Sequence, residues 1–247
     1  MNVLVCNDDG IDSEGLIVLA TCLSKEHNVL VVAPESNRSA FAHSLTIYED
    51  IKFREVNASG DFTAYAISGT PVDCVKFATH VFPDFRIDLV CSGINKGPNV
   101  GTDVLYSGTV SAGLEANCLG LPAIAFSSVA HVGNKFDTCG IIAVKIIDKL
   151  KKNLSNKFTY NVNVPNLDLS DIKGVKATKL GIQVYTDRYV KTGDGTYRLE
   201  GEPTDHDLND SDCDVEWIKK GYVTVTPVLL DKTDYTTLYS IGKDIDL

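Results

Sequence analysis

The 247 residues are 44% hydrophobic and 23% charged, which is the range of soluble globular chains with enough length to bury a sizeable core. The net charge of −10 excludes a long nucleic acid as partner, because phosphate backbones are gripped by excess Lys and Arg. A small phosphorylated ligand stays compatible, since a bound metal ion supplies positive charge locally. No apolar run reaches the ~18 residues that a membrane-spanning helix needs, and no signal peptide precedes the first apolar stretch. The seven cysteines (Cys6, Cys22, Cys74, Cys91, Cys118, Cys139, Cys213) are an odd, scattered set without a CxxC pair. Reduced core thiols in a reducing, cytoplasmic compartment are expected.

Taken in order, the chain alternates apolar strands and amphipathic helices. Asn2 to Cys6 is an apolar strand that ends at once in Asn7-Asp8-Asp9-Gly10. Ser13 is the expected cap of a helix whose inner face carries Leu16, Leu19, Ala20 and Leu23 at i, i+3, i+4, i+7. Asn28 to Ala33 is a continuous apolar run of the kind buried on both faces of a parallel sheet, so the first unit is a right-handed βαβ. After the loop Pro34 to Ala40, a strand pair is predicted at Leu45 to Tyr48 and Ile51 to Val56. A turn follows at Ala58 to Asp61, then a strand at Thr63 to Ser68.

Pro71 suits the first turn of a helix over Val72 to Val81. Ile87 to Cys91 is a third buried strand, feeding a glycine- and asparagine-rich loop, Ser92 to Asp103, with too little periodicity for a regular element. A helix opens at Ser107-Gly108-Thr109 and stops at Gly120. Strands at Ala123 to Ser127 and Tyr160 to Val164 flank an amphipathic helix over Asp137 to Lys152. Past Asn166 the texture changes. Long exposed strands are predicted at Val175 to Val184 and Tyr197 to Leu199, joined through Thr192-Gly193-Asp194-Gly195. An acidic stretch then runs from Thr204 to Asp214, and a late strand from Tyr222 to Pro227. The expected fold class is α/β, Rossmann-like, with three α/β/α layers around a mainly parallel sheet. Residues 1–166 form its core and 167–247 a C-terminal extension that completes the sheet.

Three polar loops leave the carboxyl ends of three parallel-type strands: Asn7 to Gly10, Pro34 to Ser39 and Gly93 to Asp103. In open α/β sheets that edge is where ligands bind. Asp8 and Asp9 are adjacent carboxylates beside a buried strand, and they need a cation, hydrogen-bond donors or open water. With the Ser39 hydroxyl and the Asn95 amide carbonyl they make a set of hard oxygens, which suits Mg²⁺, Mn²⁺ or Ca²⁺ over Zn²⁺. Each also has a plainer reading: an acidic turn for Asp8-Asp9, a turn or cap residue for Ser39, a loop residue bonding its own backbone for Asn95. Ser107-Gly108-Thr109 at a helix start is either an ordinary N-cap or a phosphate site made of free amides. Lys96 either steadies a phosphate or is a solvated charge. The GxSxG elbow, the P-loop and the dinucleotide fingerprint are absent. The five histidines (His27, His43, His80, His131, His206) are dispersed, and His43 has at most a substrate-side role.

With these residues identified, the chain resembles the SurE (survival protein E) family of metal-dependent nucleotidases and phosphatases. The resemblance covers nearly the whole chain. It rests on Asn7-Asp8-Asp9-Gly10, Ala33-Pro34 with Arg38-Ser39-Ala40, Gly69-Thr70-Pro71 with Asp73-Cys74-Val75, and Ser92-Gly93-Ile94-Asn95 with Gly97, Asn99 and Gly101. Tyr106 to Val110, Asn161 to Pro165 and Gly221 to Pro227 add to it. It implies hydrolysis of nucleoside 5′- and 3′-monophosphates, and in some members short polyphosphate, with a divalent cation, Mg²⁺ or Mn²⁺. Asp8, Asp9, Ser39 and Asn95 would be the metal ligands and Asp8 and Asp9 the catalytic carboxylates. Asn7, Lys96, Asn99, Ser107, Gly108 and Thr109 would contact phosphate or substrate. It also implies an extension exchanged between subunits in a homodimer or homotetramer. The chain departs from the family pattern at Asp210-Ser211-Asp212 and across Thr192 to Pro203. A different reading is a Mg²⁺-binding receiver-like signalling module without turnover. It lacks an acceptor Asp at the Ser92-Gly93-Ile94-Asn95 exit, and the chain is about twice too long for it.

Overall fold

The computed structural model describes residues 1–57, 60–204 and 211–241; the expected turn at Ala58-Ser59, and residues 205–210 of the acidic stretch with His206 and Asp210, lie outside the described residues. In chain order the elements are β1 (Asn2–Cys6), α1 (Glu14–Ser24), β2 (Asn28–Pro34), β3 (Phe53–Val56), β4 (Thr63–Ile67), α2 (Pro71–Val81) and β5 (Leu89–Lys96). There follow α3 (Gly108–Cys118), β6 (Ala123–Val129), α4 (Phe136–Leu150), β7 (Phe158–Pro165) and β8 (Val175–Ala177). The last are β9 (Arg188–Gly193), β10 (Thr196–Glu200), α5 (Asp214–Lys219), β11 (Val223–Leu229) and α6 (Tyr235–Ile241).

One nine-stranded sheet runs in the order β3-β4-β2-β1-β5-β6-β7-β11-β8. From β4 to β7 every neighbouring pair is parallel. Strands β3 and β11 are antiparallel to their neighbours β4 and β7, and β8 pairs parallel with β11. Side chains of β1 alternate between two layers, as a strand requires. Val3 and Val5 join the cluster formed with Leu16 and Leu19 of α1 and Phe136, Ile142 and Ile146 of α4. Leu4 and Cys6 join the opposite cluster, with Val75 and Ala78 of α2 and Ala112 and Ala116 of α3. Helices on both faces explain why the central strands read as unbroken apolar runs. This is the α/β fold expected from the sequence.

The first unit, β1-α1-β2, fills one side of β1, while the crossover through α2 places β5 on its other side. The strand order therefore reverses between β1 and β5. Their outgoing loops, Asn7 to Gly10 and the segment after Asn95, diverge there and leave a crevice at the sheet's carboxyl edge. Helix α2 begins as anticipated, with Pro71 in its first turn and a capping box in which Thr70 and Asp73 satisfy each other's amides. No described helix is long and apolar enough to cross a membrane. All seven cysteines are unpaired, and Cys6, Cys74, Cys91, Cys139 and Cys213 are buried.

Four local expectations are corrected. Leu45 to Tyr48 is not a strand: Ile47 and Tyr48 are exposed and the Thr46 amide donates to the Asp73 carboxylate instead of a ladder. Of Val175 to Val184 only Val175–Ala177 is strand, because the Gly181 amide turns away to Asp214 Oδ1 (2.8 Å). The exposed hairpin is β9-β10, reached by residues Arg188 to Gly193 that were not assigned to a strand. Strand β5 continues through Lys96 after a register irregularity between Ser92 and Asn95, so part of the glycine-rich loop is sheet.

The close approach of α1 to this extended end of β5 depends on Gly15. A Cβ there would fall on the Ile94 carbonyl oxygen and crowd the Phe136 ring. Backbone cannot yield as a side-chain tip does, so Gly15→Ala is expected to cost about 3 kcal/mol. In a chain of this size that is a fall in melting temperature of roughly 6–12 °C. An unchanged thermal midpoint by circular dichroism would contradict this account of the α1–β5 contact.

Candidate active site

The loop after β1 is built by its own first residue. Asn7 is fully buried, and its side-chain amide donates to Gly10 O (3.0 Å) and Ser13 Oγ (2.6 Å) while its Oδ1 accepts from the Gly10 amide (3.3 Å). Asn7 therefore shapes the acidic turn, and both ends of its amide are committed there. Ser13 does stand at the N-cap of α1, but its hydroxyl serves Asn7 and makes no capping bond.

Asp8, next along, is 3% exposed. Its Oδ1 accepts from Thr109 Oγ1 (2.6 Å) and its Oδ2 from the Thr109 amide (3.2 Å). Burial is the main reason its carboxyl is pushed up to about 6, with the neighbouring Asp9 charge adding to the rise and the Thr109 bonds opposing it. Asp9 is also raised, again chiefly by burial; its Oδ2 accepts from the Lys96 amide (3.0 Å) and its Oδ1 from Asn37 Nδ2 (3.4 Å). Two adjacent carboxylates are both held above their usual range, even though the Lys96 charge and the hydrogen-bond donors beside them oppose the rise. That is a local electrostatic debt which a cation would discharge.

An open cavity of about 620 Å³ lies against Asp8, within the size range of small-molecule sites. Ser39, Asn95, Lys96, Asn99 and Ser107 line it, together with Asp103, Tyr106, His131 and Tyr185. Asp9 borders the same turn but is not part of the lining. The Ser39 loop is drawn to the turn by the Arg38 amide, which donates to Asp8 O (2.7 Å). The Asn95 side-chain NH₂ donates to Gly97 O (2.9 Å), which leaves its Oδ1 as a free acceptor. Asp8, Ser39 and Asn95 thus share one cavity, with Asp9 beside it. Their donor atoms are carboxylate, hydroxyl and amide oxygens, the ligand types of a hard divalent cation. Among the described residues no group of three or more His, Cys, Asp or Glu side chains is arranged to hold a metal ion.

The helix start at Ser107-Gly108-Thr109 divides its labour differently from a simple phosphate cradle. Thr109 is fully buried and faces Asp8. Ser107 Oγ accepts from the Val110 amide (3.0 Å) as the N-cap, while its own hydroxyl proton remains available at the cavity wall. Gly108 is required because a Cβ would meet Asp8 Cβ at 2.8 Å and Oδ2 at 2.9 Å. Asn99 is buried in an amide cluster. Its side-chain NH₂ donates to Ser127 Oγ (2.9 Å), its amide donates to Asn163 Oδ1 (2.8 Å), and its carbonyl accepts from Asn161 (2.7 Å) and Asn163 (3.0 Å). It holds the loop that carries Asn95 and Lys96.

Sequence reasoning missed the outer wall. Tyr185, Asp187 and Leu199 reach the cavity from the C-terminal extension, and Tyr185 donates to Asp103 Oδ2 (2.7 Å). His131 borders the cavity beside Gly97, where a Cβ would come within 2.8 Å of its ring. Each lies far in sequence from the three loops, and no local pattern marks them.

Comparisons with known proteins find relatives over nearly the whole chain. A protein named 5'-nucleotidase SurE from Clostridium beijerinckii is 41% identical over 253 aligned positions, covering 98% of each chain. One of the same name from Pseudothermotoga lettingae is 42% identical, covering 92% of this chain and 88% of its own. The crystal structure of SurE protein from Aquifex aeolicus superposes with a TM-score of 0.86 at 37% identity, covering 99% of both chains. The family model described as Survival protein SurE matches residues 3–187, a span that holds the acidic turn, Ser39, Asn95 and the Ser107 helix start, and the chain belongs to the SurE family.

Proposed function

We propose that this protein is a divalent-metal-dependent phosphomonoesterase that hydrolyses nucleoside 5′- and 3′-monophosphates to nucleoside and phosphate. The observation that carries the reading is the pair of raised carboxylates, Asp8 and Asp9, at the edge of a cavity that also presents Ser39 and Asn95 oxygens. The relatives named 5'-nucleotidase support it.

Asp8, Asp9, Ser39 and Asn95 are the residues that would hold the cation, Mg²⁺ or Mn²⁺. When bound, such an ion offsets phosphoryl charge and makes water a better nucleophile. The chain's own groups do the rest. The Ser107 hydroxyl, the Gly108 amide at the start of α3 and the Lys96 ammonium are the donors for the remaining phosphate oxygens. Thr109 fixes the rotamer of Asp8 through both carboxylate oxygens. Asp8 Oδ2, which carries only the longer of those bonds, accepts the proton of the attacking water. The water oxygen forms the new P–O bond as the ester P–O bond breaks, and the departing nucleoside oxygen takes its proton from solvent at the open mouth. Attack by Asp8 itself is disfavoured because a carboxylate that holds a cation is a poorer nucleophile. Tyr106, Tyr185 and Leu199 offer aromatic and apolar surface for a base, whereas Asp103 and Asp187 in the same cavity make it a poorer host for polyphosphate.

The extension over 167–247 serves self-association in this reading. Helix α6 buries none of its residues, with Tyr239 72% and Tyr235 51% exposed. An isolated seven-residue helix is not stable in water, so a second copy of the chain covers it, in a homodimer or homotetramer. The unpaired thiols fit a cytoplasmic setting. A receiver-like module is disfavoured by the full-length match to nucleotidase relatives.

Phosphate release from AMP and GMP is expected with Mg²⁺ or Mn²⁺ and should vanish with EDTA. Asp8→Asn should lower kcat by at least about 100-fold at saturating metal; wild-type turnover in that variant would remove Asp8 from the reaction. Metal-free protein has a signed pH dependence. Asp8 has a folded pKa of about 6 against 3.8 unfolded, so its contribution is fully present below about 3.8 and is lost as pH rises through 6. A shift of that size corresponds to about 3 kcal/mol. Urea titrations from pH 4 to 7 should show the wild type losing stability relative to Asp8→Asn, and a parallel decline of both would refute the assignment. Light scattering on eluted protein should return at least twice the 26.8 kDa chain mass; a monomer would overturn the role given to α6.

A further inference from the structure

One buried ionic group lies outside the proposed reaction. Glu115 of α3 is 5% exposed, on a helix that packs Ala112 and Ala116 into the apolar cluster with α2. Its Oε2 accepts from His43 Nε2 at 2.9 Å, and its Oε1 pairs with Lys76 Nζ of α2 at 2.6 Å. A buried carboxylate held by the Lys76 ammonium and the His43 imidazole at those distances is a specific anchor, because losing either partner leaves a buried carboxylate oxygen without its partner. His43 belongs to neither helix. It sits in the loop between β2 and β3, four residues after Ser39.

That loop does not rest in a relaxed conformation. Ala40 and Ala42 both have positive φ, 61° and 51°, where a Cβ is disfavoured and glycine is the usual occupant. Strain of this kind persists only where surrounding contacts over-determine the backbone. On the N-terminal side of Ser39 the tie is Arg38 N to Asp8 O (2.7 Å). On the other side the Ala42 amide donates to Tyr106 O (3.1 Å), and His43 provides the first side-chain anchor. Beyond it Thr70 Oγ1 donates to Ser44 O (2.8 Å) and Thr46 Oγ1 to Asp73 Oδ2 (2.6 Å). Helix α3 therefore touches both halves of the oxygen set: Thr109 at its first turn grips Asp8, and Glu115, further along, grips the Ser39 loop through His43.

We propose that His43, held by Glu115, whose other oxygen pairs with Lys76, is a positioning residue that sets the Ser39 hydroxyl for the divalent cation. The inference rests on the metal site proposed above and adds a residue to its support. His43 touches neither cation nor phosphate in this scheme. It acts by keeping the strained Ala40–Ala42 segment in place, as partners behind metal ligands commonly do.

The test is direct titration of the apo-protein with Mn²⁺, followed by calorimetry and by the spin-resonance signal of free Mn²⁺, with no substrate present. His43→Ala should weaken Mn²⁺ binding about tenfold. His43→Gln, whose side-chain NH₂ can still donate to Glu115, should recover most of the affinity. In the Ser39→Ala background His43→Ala should add little, since the group it positions is gone. Turnover should show the matching split: more Mn²⁺ needed for half-maximal rate, and kcat at saturating Mn²⁺ within about twofold of wild type. Far-ultraviolet circular dichroism establishes that each variant is folded. The inference fails if Ser39→Ala weakens Mn²⁺ binding but His43→Ala does not, or if the two losses multiply in the double variant. If Ser39→Ala leaves Mn²⁺ affinity unchanged, Ser39 is no ligand, and the metal site as assigned falls together with the inference.

Discussion

Much of this molecule depends on a buried carboxylate at the end of β1 that the first turn of α3 holds. Asp8 has no cation of its own, and its carboxyl is raised because burial penalises charge. The fold answers with two donors from one residue, Thr109, at the point where α3 begins. The clasp is possible because Gly108 has no Cβ and lets the helix start ride against Asp8. Removing water from a carboxylate is costly unless hydrogen bonds replace it. The Thr109 bonds replace part of the lost water, and the Asp8 carboxyl still stays above its usual range.

The parallel sheet supplies the rest by topology. Reversal of strand order between β1 and β5 makes the loops diverge, and the β2 loop leans in from the neighbouring strand through the Arg38 amide. Oxygen atoms from positions 8, 39 and 95 thereby meet in one cavity although none is near another in sequence. Around them the supports are buried and polar: Asn7 inside its turn, Asn99 among Asn161, Asn163 and Ser127, and Glu115 between His43 and Lys76. Such networks stabilise little when satisfied and cost much when broken, which makes them suited to fixing geometry.

The local pattern was easiest to read where burial was complete. Asn28 to Ala33 and Ala123 to Ser127 are apolar throughout because both faces of the sheet are covered, and both are strands. Pro71 and the glycine after α3 marked helix ends through backbone chemistry alone. Reading failed where partners are distant. Leu45 to Tyr48 has β-like residues, yet the Thr46 amide and hydroxyl donate to Asp73, so no ladder forms. The segment after Ala177 was drawn away from the sheet by Asp214, and among the described strands β9 and β10 pair only with each other. Periodicity carries no information about such competitors.

For the candidate site, residue type at the strand exits picked out Asp8, Ser39 and Asn95, which the fold brings to one cavity, and Asp9 beside it. Residue type also marked Ser107-Gly108-Thr109 as special, but only the folded chain divided its roles, turning Thr109 toward Asp8 and leaving Ser107 at the cavity wall. The outer wall of Tyr185, Asp187 and Leu199, and the Glu115 anchor behind Ser39, were decided entirely by tertiary structure. The physical reason is range. Strand and helix pattern, caps and ligand chemistry are local properties of the chain, whereas the strand order and the hydrogen bonds spanning some 30 to 110 residues exist only once the sheet has closed.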